Sequence, residues 1–324
     1  MKERPKFFRT TEPEVMDLTI IIIHYHTREI LSRCIESIHY TGNYEIIIVD
    51  NENDPEFMEE MKKRSKVRVI AYQGNLGFSK ANNVGIQQSN SRYIFTLNAD
   101  VFLTSGYIEQ CISFLEDHDQ YSSIQGKLLL ERTPNLIDSA GNALAKVRLA
   151  YNRFHGDSDR NIPSGDVFGV CAAAAIYRRT SLEAVRWQNE YYDNDFFAYL
   201  EDVDLDWRLR LKGFRAYFLN TATALHIREV STQNSYRLTQ ALRNRLFLIL
   251  KNDNSSQVAF NLILAPVMML CTPHPIANLK LLPTMLKKRQ HIQAHKKVST
   301  KVVSHEFSSN PWGLWIKKLL KTSQ

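Results

Sequence analysis

The chain has 324 residues, 44% apolar and 23% charged, proportions that permit a full hydrophobic core and exclude a disordered or fibrous class. Its net charge is +7, but residues 280–324 carry ten Lys/Arg against one acid, Glu306, so the first 279 residues are slightly negative. A basic tail on an acidic body argues against a nucleic-acid-binding core. Cys34, Cys111, Cys171 and Cys271 are far apart and form no Cys-x-x-Cys pair, which argues against zinc or a disulfide framework and fits a reducing compartment. Residues 1–17 form an arm without the apolar stretch of a signal peptide, so a cytosolic protein is expected.

Leu18 to His24 is an unbroken, largely β-branched run, typical of a strand buried on both faces. Residues 27–40 read as a helix, with Ile30, Leu31, Cys34, Ile35 and Ile38 on one stripe. Tyr44 to Val49 is a second buried strand ending at Asp50-Asn51, followed by a helical Phe57 to Arg64 and a short strand from Val67 to Ile70. Ser79 to Gln88 is a further helix, and Tyr93 to Leu97 a fourth strand ending at Asn98-Ala99-Asp100. This alternation implies a parallel, doubly wound α/β sheet with helices on both faces and a ligand at the carboxyl ends of its strands. His24-Tyr25-His26, Asp50-Asn51 and Asn98-Ala99-Asp100 gather there. No Gly-x-Gly-x-x-Gly follows the first strand and no phosphate-binding Gly-x-x-x-x-Gly-Lys-Ser/Thr occurs, so a dehydrogenase and a P-loop NTPase lose support.

Three further features carry chemistry with two readings each. Gly74, Asn75, Gly77, Asn82 and Asn83 serve as turn and cap residues or as nucleotide contacts. Asp100, with Asn98 alternating to its side, and His226 after Thr221 to Leu225 suit a hard divalent cation or ordinary structural roles. Glu201, Asp202, Asp204 and Asp206 crowd the start of a helix whose Val203, Trp207 and Leu211 share one face and which ends at Gly213. Helix capping and acid–base catalysis both account for such acids.

The motifs taken together resemble family 2 inverting glycosyltransferases of the GT-A fold, in the branch that contains bacterial rhamnosyltransferases. The similar elements, in order, are Ile20 to Arg28, Val49-Asp50-Asn51, Gly74 to Phe78 with Ala81-Asn82-Asn83-x-Gly85, Leu97 to Asp100, and Phe196 to Arg208 followed by His226. His24 and His26 replace the more usual Asn residues, Asn98 the first Asp of Asp-x-Asp, and Ala99 a common Pro; Val167 to Arg179 is an Ala-rich version of an acceptor-side segment. The resemblance implies a Rossmann-like, mostly parallel GT-A domain over 18–250, divided into a nucleotide-sugar half (18–103) and an acceptor and catalytic half (104–250).

By the same resemblance, Asp202 is the general base beside Glu201, and Asp100 with His226 holds Mg2+ or Mn2+. His24, His26, Asp50, Asn51, Asn75, Gly77, Asn82, Asn98 and Arg208 line the nucleotide sugar, Asp50 reading the pyrimidine ring. Arg208 has pairing with Asp204 as its other reading, Asp204 stays undecided and Asp206 is structural. The implied reaction moves L-rhamnose from dTDP-rhamnose to a lipid-linked glycan of an O-antigen-like surface polysaccharide. A UDP-hexose or UDP-galactofuranose donor, or an inactive sugar-nucleotide-binding module, are the alternatives. The C-terminal segment, 251–324, joins the apolar run Val258 to Cys271, too short and too interrupted by Pro266 to span a membrane, to the basic tail. It is expected to be helical and to lie on the anionic inner face of the cell membrane, and a chain ending near Asn254 is expected to keep a folded core.

Overall fold

The computed structural model describes residues 16–228, 234–270 and 275–304; most of the expected N-terminal arm, Cys271 and the basic residues beyond 304 lie outside that range. The buried β-branched runs form β1 (Leu18–His24), β2 (Tyr44–Asp50), β3 (Val67–Ala71) and β4 (Tyr93–Asn98). All four are parallel, with Ile22 of β1 opposite Ile48 and Leu97. They are linked by α1 (Arg28–Glu36), α2 (Pro55–Lys62) and α3 (Gly77–Gln87). Helix α1 ends at Glu36 rather than near residue 40, where the Ser37 hydroxyl turns back onto the Cys34 carbonyl at 2.6 Å. Helix α2 starts as its residues dictate: Asp54 accepts from the Phe57 amide at 3.1 Å and Pro55 fills the first turn.

The second half adds β5 (Val101–Leu103), α4 (Tyr107–Asp117), β6 (Tyr121–Leu130) and β7 (Thr133–Ser139). After them come the hairpin β8 (Asn142–Leu144) and β9 (Ala150–Asn152), β10 (Gly165–Val167), β11 (Ala174–Arg178), α5 (Arg179–Val185), α6 (Glu201–Leu211) and β12 (Arg215–His226). The sheet order is β10-β12-β6-β11-β4-β1-β2-β3. The expectation of a mostly parallel sheet holds for β1 to β4, but the second half is mixed. There β11 enters through the 168–173 loop instead of a crossover helix and runs antiparallel to both β4 and β6. Since β12 is parallel to β6, the two reversals bring His226 to the same sheet edge as Asp100.

Helices α7 (Asn234–Asn252), α8 (Ser255–Leu270), α9 (Pro275–Lys280), α10 (Leu282–His295) and α11 (Thr300–Ser304) complete the described chain. None of the described helices is long and apolar enough to cross a membrane. Helix α6 is buried on two sides. Leu205 and Leu209 face the sheet core with Val170 and Tyr177, whereas Val203, Trp207 and Leu211 pack against Phe247, Leu248, Met285 and Val303. The boundary expected after residue 250 therefore falls inside the last turn of α7, and residues beyond it seal the core around Trp207. A chain ending near Asn254, expected to keep a folded core, would keep Phe247 and Leu248 but lose Met285 and Val303, leaving that apolar cluster partly uncovered.

Candidate active site

The four acids of α6 separate by their partners. Glu201 is buried, its Oε2 has no hydrogen-bond partner, and burial followed by the charge of Asp202 holds its pKa well above the usual range. Asp202 is half-buried: Oδ2 accepts from Asn142 Nδ2 (3.1 Å) and the Ala172 amide (3.3 Å), and Oδ1 from the Val203 amide (2.8 Å). Burial raises its pKa, and these donors moderate the rise. Asp204 accepts from Arg208 Nε (2.9 Å) and Asn252 Nδ2 (2.7 Å) and pairs with Lys251 Nζ (2.9 Å). Burial would raise its pKa, but Lys251 and Arg208 pull it down, so Asp204 stays an anion that joins α6 to α7. Asp206, expected to be purely structural, shares the Asn142 amide with Asp202 at 3.1 Å, and burial and Asp202 raise its pKa.

The loop between β10 and β11 ties this helix start to the edge of β4. The Ala172 amide donates to Asp202, the Val170 amide to Asp206 at 3.2 Å, and the Ala173 carbonyl accepts from Asn98 N at 2.8 Å. Gly169 has no substitute here, since a Cβ would lie 1.8 Å from Asp206 Oδ2. Beyond Asn98, Asp100 is nearly buried, with Oδ1 3.4 Å from His226 Nε2 and Oδ2 accepting from the Arg228 amide at 3.2 Å. The other His226 nitrogen, Nδ1, lies 2.7 Å from Asp138 Oδ2, and Asp138 Oδ1 lies 2.5 Å from Arg228 Nε. Burial alone would lower the His226 pKa, yet Asp100 and Asp138 push it up to about 9. Burial opposes ionisation of Asp138, but bonds from His155 and His226 and the Arg228 charge hold it far below the ordinary carboxylate range.

The expected metal pair, Asp100 and His226, is thus brought together. A carboxylate oxygen and an imidazole nitrogen suit Mn2+ or Mg2+, and a carboxylate behind the far imidazole nitrogen is the usual means of orienting such a ligand. Among the described residues no group of three or more His, Cys, Asp or Glu forms a complete cage. Two protein ligands fit a site completed by substrate phosphates and water.

The residues expected around the nucleotide sugar reach the same edge with unequal freedom. His24 is fully buried, stacks on Phe57 at 4.1 Å between ring centroids, and lies 2.8 Å from Thr27 Oγ1; burial depresses its pKa. His26 is exposed and pairs with Glu52. Asp50 is buried and spends its two oxygens on the Glu52 (2.9 Å) and Asp54 (3.1 Å) amides, so it shapes the turn after β2. Asn51 Nδ2 reaches Asn75 Oδ1 at 3.3 Å, and that oxygen also accepts from Gly77 N at 2.8 Å, which holds the exposed Asn75 over the edge. Gly77 is left-handed (φ 75°), and its missing Cβ makes room for the Phe197 ring. Asn82 is buried and bonds the Phe78 carbonyl within its own helix.

Arg208 takes the second of its two readings. Its guanidinium is buried and donates to Asp204, to the Val185 carbonyl (2.9 Å) and to the Tyr191 carbonyl (2.6 Å), so it does not reach a phosphate. Sequence reasoning passed over Asn142, Asp138 and the bridging role of Asn83. Asn83 accepts from the Tyr191 and Tyr192 amides and donates to the Tyr192 carbonyl, pinning the chain that leads into α6 to α3. Asn142 and Asp138 flank a Ser-Ala-Gly turn and look like turn residues; their roles exist only once β7 and β8 are placed.

A family model described as Glycosyl transferase family 2 matches residues 19–186. The low-salt glycan biosynthesis hexosyltransferase Agl10 of Haloferax volcanii is 24% identical over 239 residues, 71% of this chain and 74% of that one. The rhamnosyltransferase WbbL of Escherichia coli is 22% identical over 220 residues, 64% and 82% of the two chains. Among solved structures, GalNAc-T7 with UDP, GalNAc and Mn2+ resembles 91% of this chain at a TM-score of 0.67 and 12% identity, although only 57% of that longer chain is covered. The mannosyltransferase PcManGT from Pyrobaculum calidifontis in complex with GDP-Man and Mn2+ gives 0.54 at 12% identity, over 96% and 81% of the chains. Both share with this protein a GT-A-like mixed sheet. With the family model spanning more than half of its length, and with this sheet beneath the acids of α6, the chain belongs to glycosyl transferase family 2.

Proposed function

We propose that the protein transfers a sugar, with inversion, from a nucleotide-sugar donor to a hydroxyl of a lipid-linked glycan, and that the sugar is L-rhamnose carried by dTDP. The observation that carries the reading is Asp202. It is half-buried, its pKa is raised, and Asn142 and Ala172 aim it beside the strand edge that presents Asp100 and His226. A raised pKa brings the carboxylate nearer to a hydroxyl proton in basicity while leaving it able to ionise. Glu201, its Oε2 without a hydrogen-bond partner and its carboxyl pushed toward the neutral form, spares Asp202 a second adjacent charge. Asp100 and His226 would hold the divalent cation, which when bound offsets charge on the departing diphosphate. Asn75, held by Asn51, and His26 offer exposed polar groups to the nucleoside.

The rhamnosyl assignment draws on similarity to WbbL. The second reading is another donor, a UDP-hexose or UDP-galactofuranose; a sugar other than rhamnose is supported by the differently named relatives, the hexosyltransferase Agl10 and the poly-beta-1,6-N-acetyl-D-glucosamine synthase of Staphylococcus aureus, 21% identical over 209 residues. The membrane reading is supported by Phe260 and Ile263 on α8 and Ile276 on α9, which are 61%, 75% and 73% exposed, close in sequence to Lys280. Turnover of a panel of nucleotide sugars with Mg2+ or Mn2+ tests the proposal. Transfer from dTDP-rhamnose is expected; turnover of UDP-sugars alone selects the second reading. Nucleotide binding without turnover of any donor overturns the enzyme and leaves the inactive module that Asn98 favours.

A further inference from the structure

The segment that delivers Asp202 into the site holds three uncommon backbone conformations in four residues, with no glycine among them. Phe197 (φ 63°, ψ −66°) centres a tight turn in which the Ala198 amide meets the Phe196 carbonyl at 2.7 Å. Tyr199 (φ 72°) and Leu200 (φ 66°) are left-handed, and Leu200 begins α6 without any capping side chain. Helix α7 adds support from outside the segment: Asn244, fully buried, points Nδ2 at the carbonyls of Phe196 (3.0 Å), Ala198 (2.8 Å) and Tyr199 (2.6 Å), and Gln240 Nε2 reaches the Phe196 carbonyl at 3.0 Å. Arg243 donates to Asn244 Oδ1 at 3.2 Å, which fixes which end of the amide faces the carbonyls. Three carbonyls converge on one amide nitrogen only if the chain turns as it does. On the opposite side the Phe197 carbonyl accepts from the Ser79 amide at 3.1 Å and its ring covers Gly77, so the same turn touches the donor-side loop.

We propose that Asn244 is a positioning residue for the general base: by gathering the 196, 198 and 199 carbonyls it sets the start of α6 and hence the direction of Asp202. The proposal rests on Asp202 as base. Lys251 and Asn252 grip Asp204 farther along α7, so α6 remains attached from Asp204 onward when the Asn244 cradle is lost, and the residues before it, 197–203, relax. A relaxed first turn moves Asp202 off the Ala172 amide and Asn142, and a misplacement near 1 Å is enough to cost about 10²-fold in rate.

The experiment uses the full chain with Asn244→Ala, Asn244→Asp, and Asn244→Ala combined with Leu200→Gly. Asn261→Ala is the control, since Asn261 is also buried but, among the described residues, bonds its own helix at Gln257. With dTDP-rhamnose, and with UDP-glucose as second donor, kcat is expected to fall about 10²-fold in both single variants while donor KM and dTDP affinity stay within about threefold. Leu200→Gly is expected to restore part of kcat in the Asn244→Ala background, because glycine accepts a positive φ without the cradle. Hydrogen exchange of amides 197–204 is expected to quicken in Asn244→Ala while α3 stays protected. Turnover near wild type in Asn244→Asp, or a loss that only follows the folded fraction with no glycine rescue, overturns the proposal. If the wild-type chain turns over no donor, the transferase reading fails, and hydrogen exchange then decides: unchanged protection of 197–204 rejects the cradle.

Discussion

At the scale of single residues, Asn142 bears on both the position of Asp202, the proposed base, and the pH at which its carboxyl is charged. Asp202→Asn is expected to leave nucleotide affinity unchanged by calorimetry and to lower kcat by about 10²–10⁴-fold; unchanged turnover rejects Asp202 as base. Asn142 donates to the Asp202 carboxylate and so lowers its pKa against the effect of burial. Removing that donor raises the pKa. Because the base must be ionised, the acidic limb of kcat/KM in Asn142→Ala is expected to move to higher pH, which a pH–rate profile reads directly. At the proposed metal pair of Asp100 and His226, Asp138→Asn loses the anionic acceptor behind His226 and is expected to weaken Mn2+ binding by about 10–100-fold, measured by titration without donor. Asp202, Asp100 and His226 were legible as candidates because each stands at the end of a strand or the start of a helix that the side-chain pattern marks. Asn142 and Asp138 were not, since a lone Asn or Asp beside a glycine has the chemistry of a turn until a distant helix or strand is brought against it.

Helix α7 and its ion pairs define the element scale. Lys288 of α10, almost fully buried, reaches Glu190 (2.9 Å), Asp193 (2.6 Å) and Asp195 (2.9 Å), and Lys251 of α7 joins Asp193 to Asp204. Lys288→Met leaves Asp193 with part of its compensation gone and is expected to cost about 3–5 kcal/mol in urea unfolding. Burial alone would raise the Asp193 pKa, but Lys251 and Lys288 depress it well below its ordinary value. A depressed carboxylate contributes stability that is complete above its unfolded pKa, about 4, and is lost as pH falls below it. Wild type is therefore expected to lose stability toward acid more steeply than Lys288→Met, in which Asp193 is less depressed. The sequence pattern located β1 to β4 and α6 because buried strands and two-sided helices are written as apolar runs. It could not show that α6 is held by α7 and that the chain leading into it is held by α10, since those contacts join residues about 40 to 100 positions apart.

The whole molecule joins the sheet to its C-terminal helices through the core around Trp207. Membrane docking is therefore tested by substitution rather than truncation. Phe260→Glu with Ile263→Glu is expected to reduce co-sedimentation with anionic vesicles without lowering the melting temperature, because both side chains are solvent-exposed; unchanged sedimentation rejects that surface. The sequence by itself determined the alternating strands and helices, the polar strand ends and the acidic start of α6, since all are local consequences of side-chain periodicity and type. Only the tertiary structure decided the rest. The reversal at β11 brings His226 to Asp100, Asn142 arrives from the β8–β9 hairpin to hold Asp202, and Asp204 and Arg208 become struts while Asp202 stays half-open. Each outcome depends on which distant partner a polar group meets once water is excluded, and local sequence does not encode that meeting.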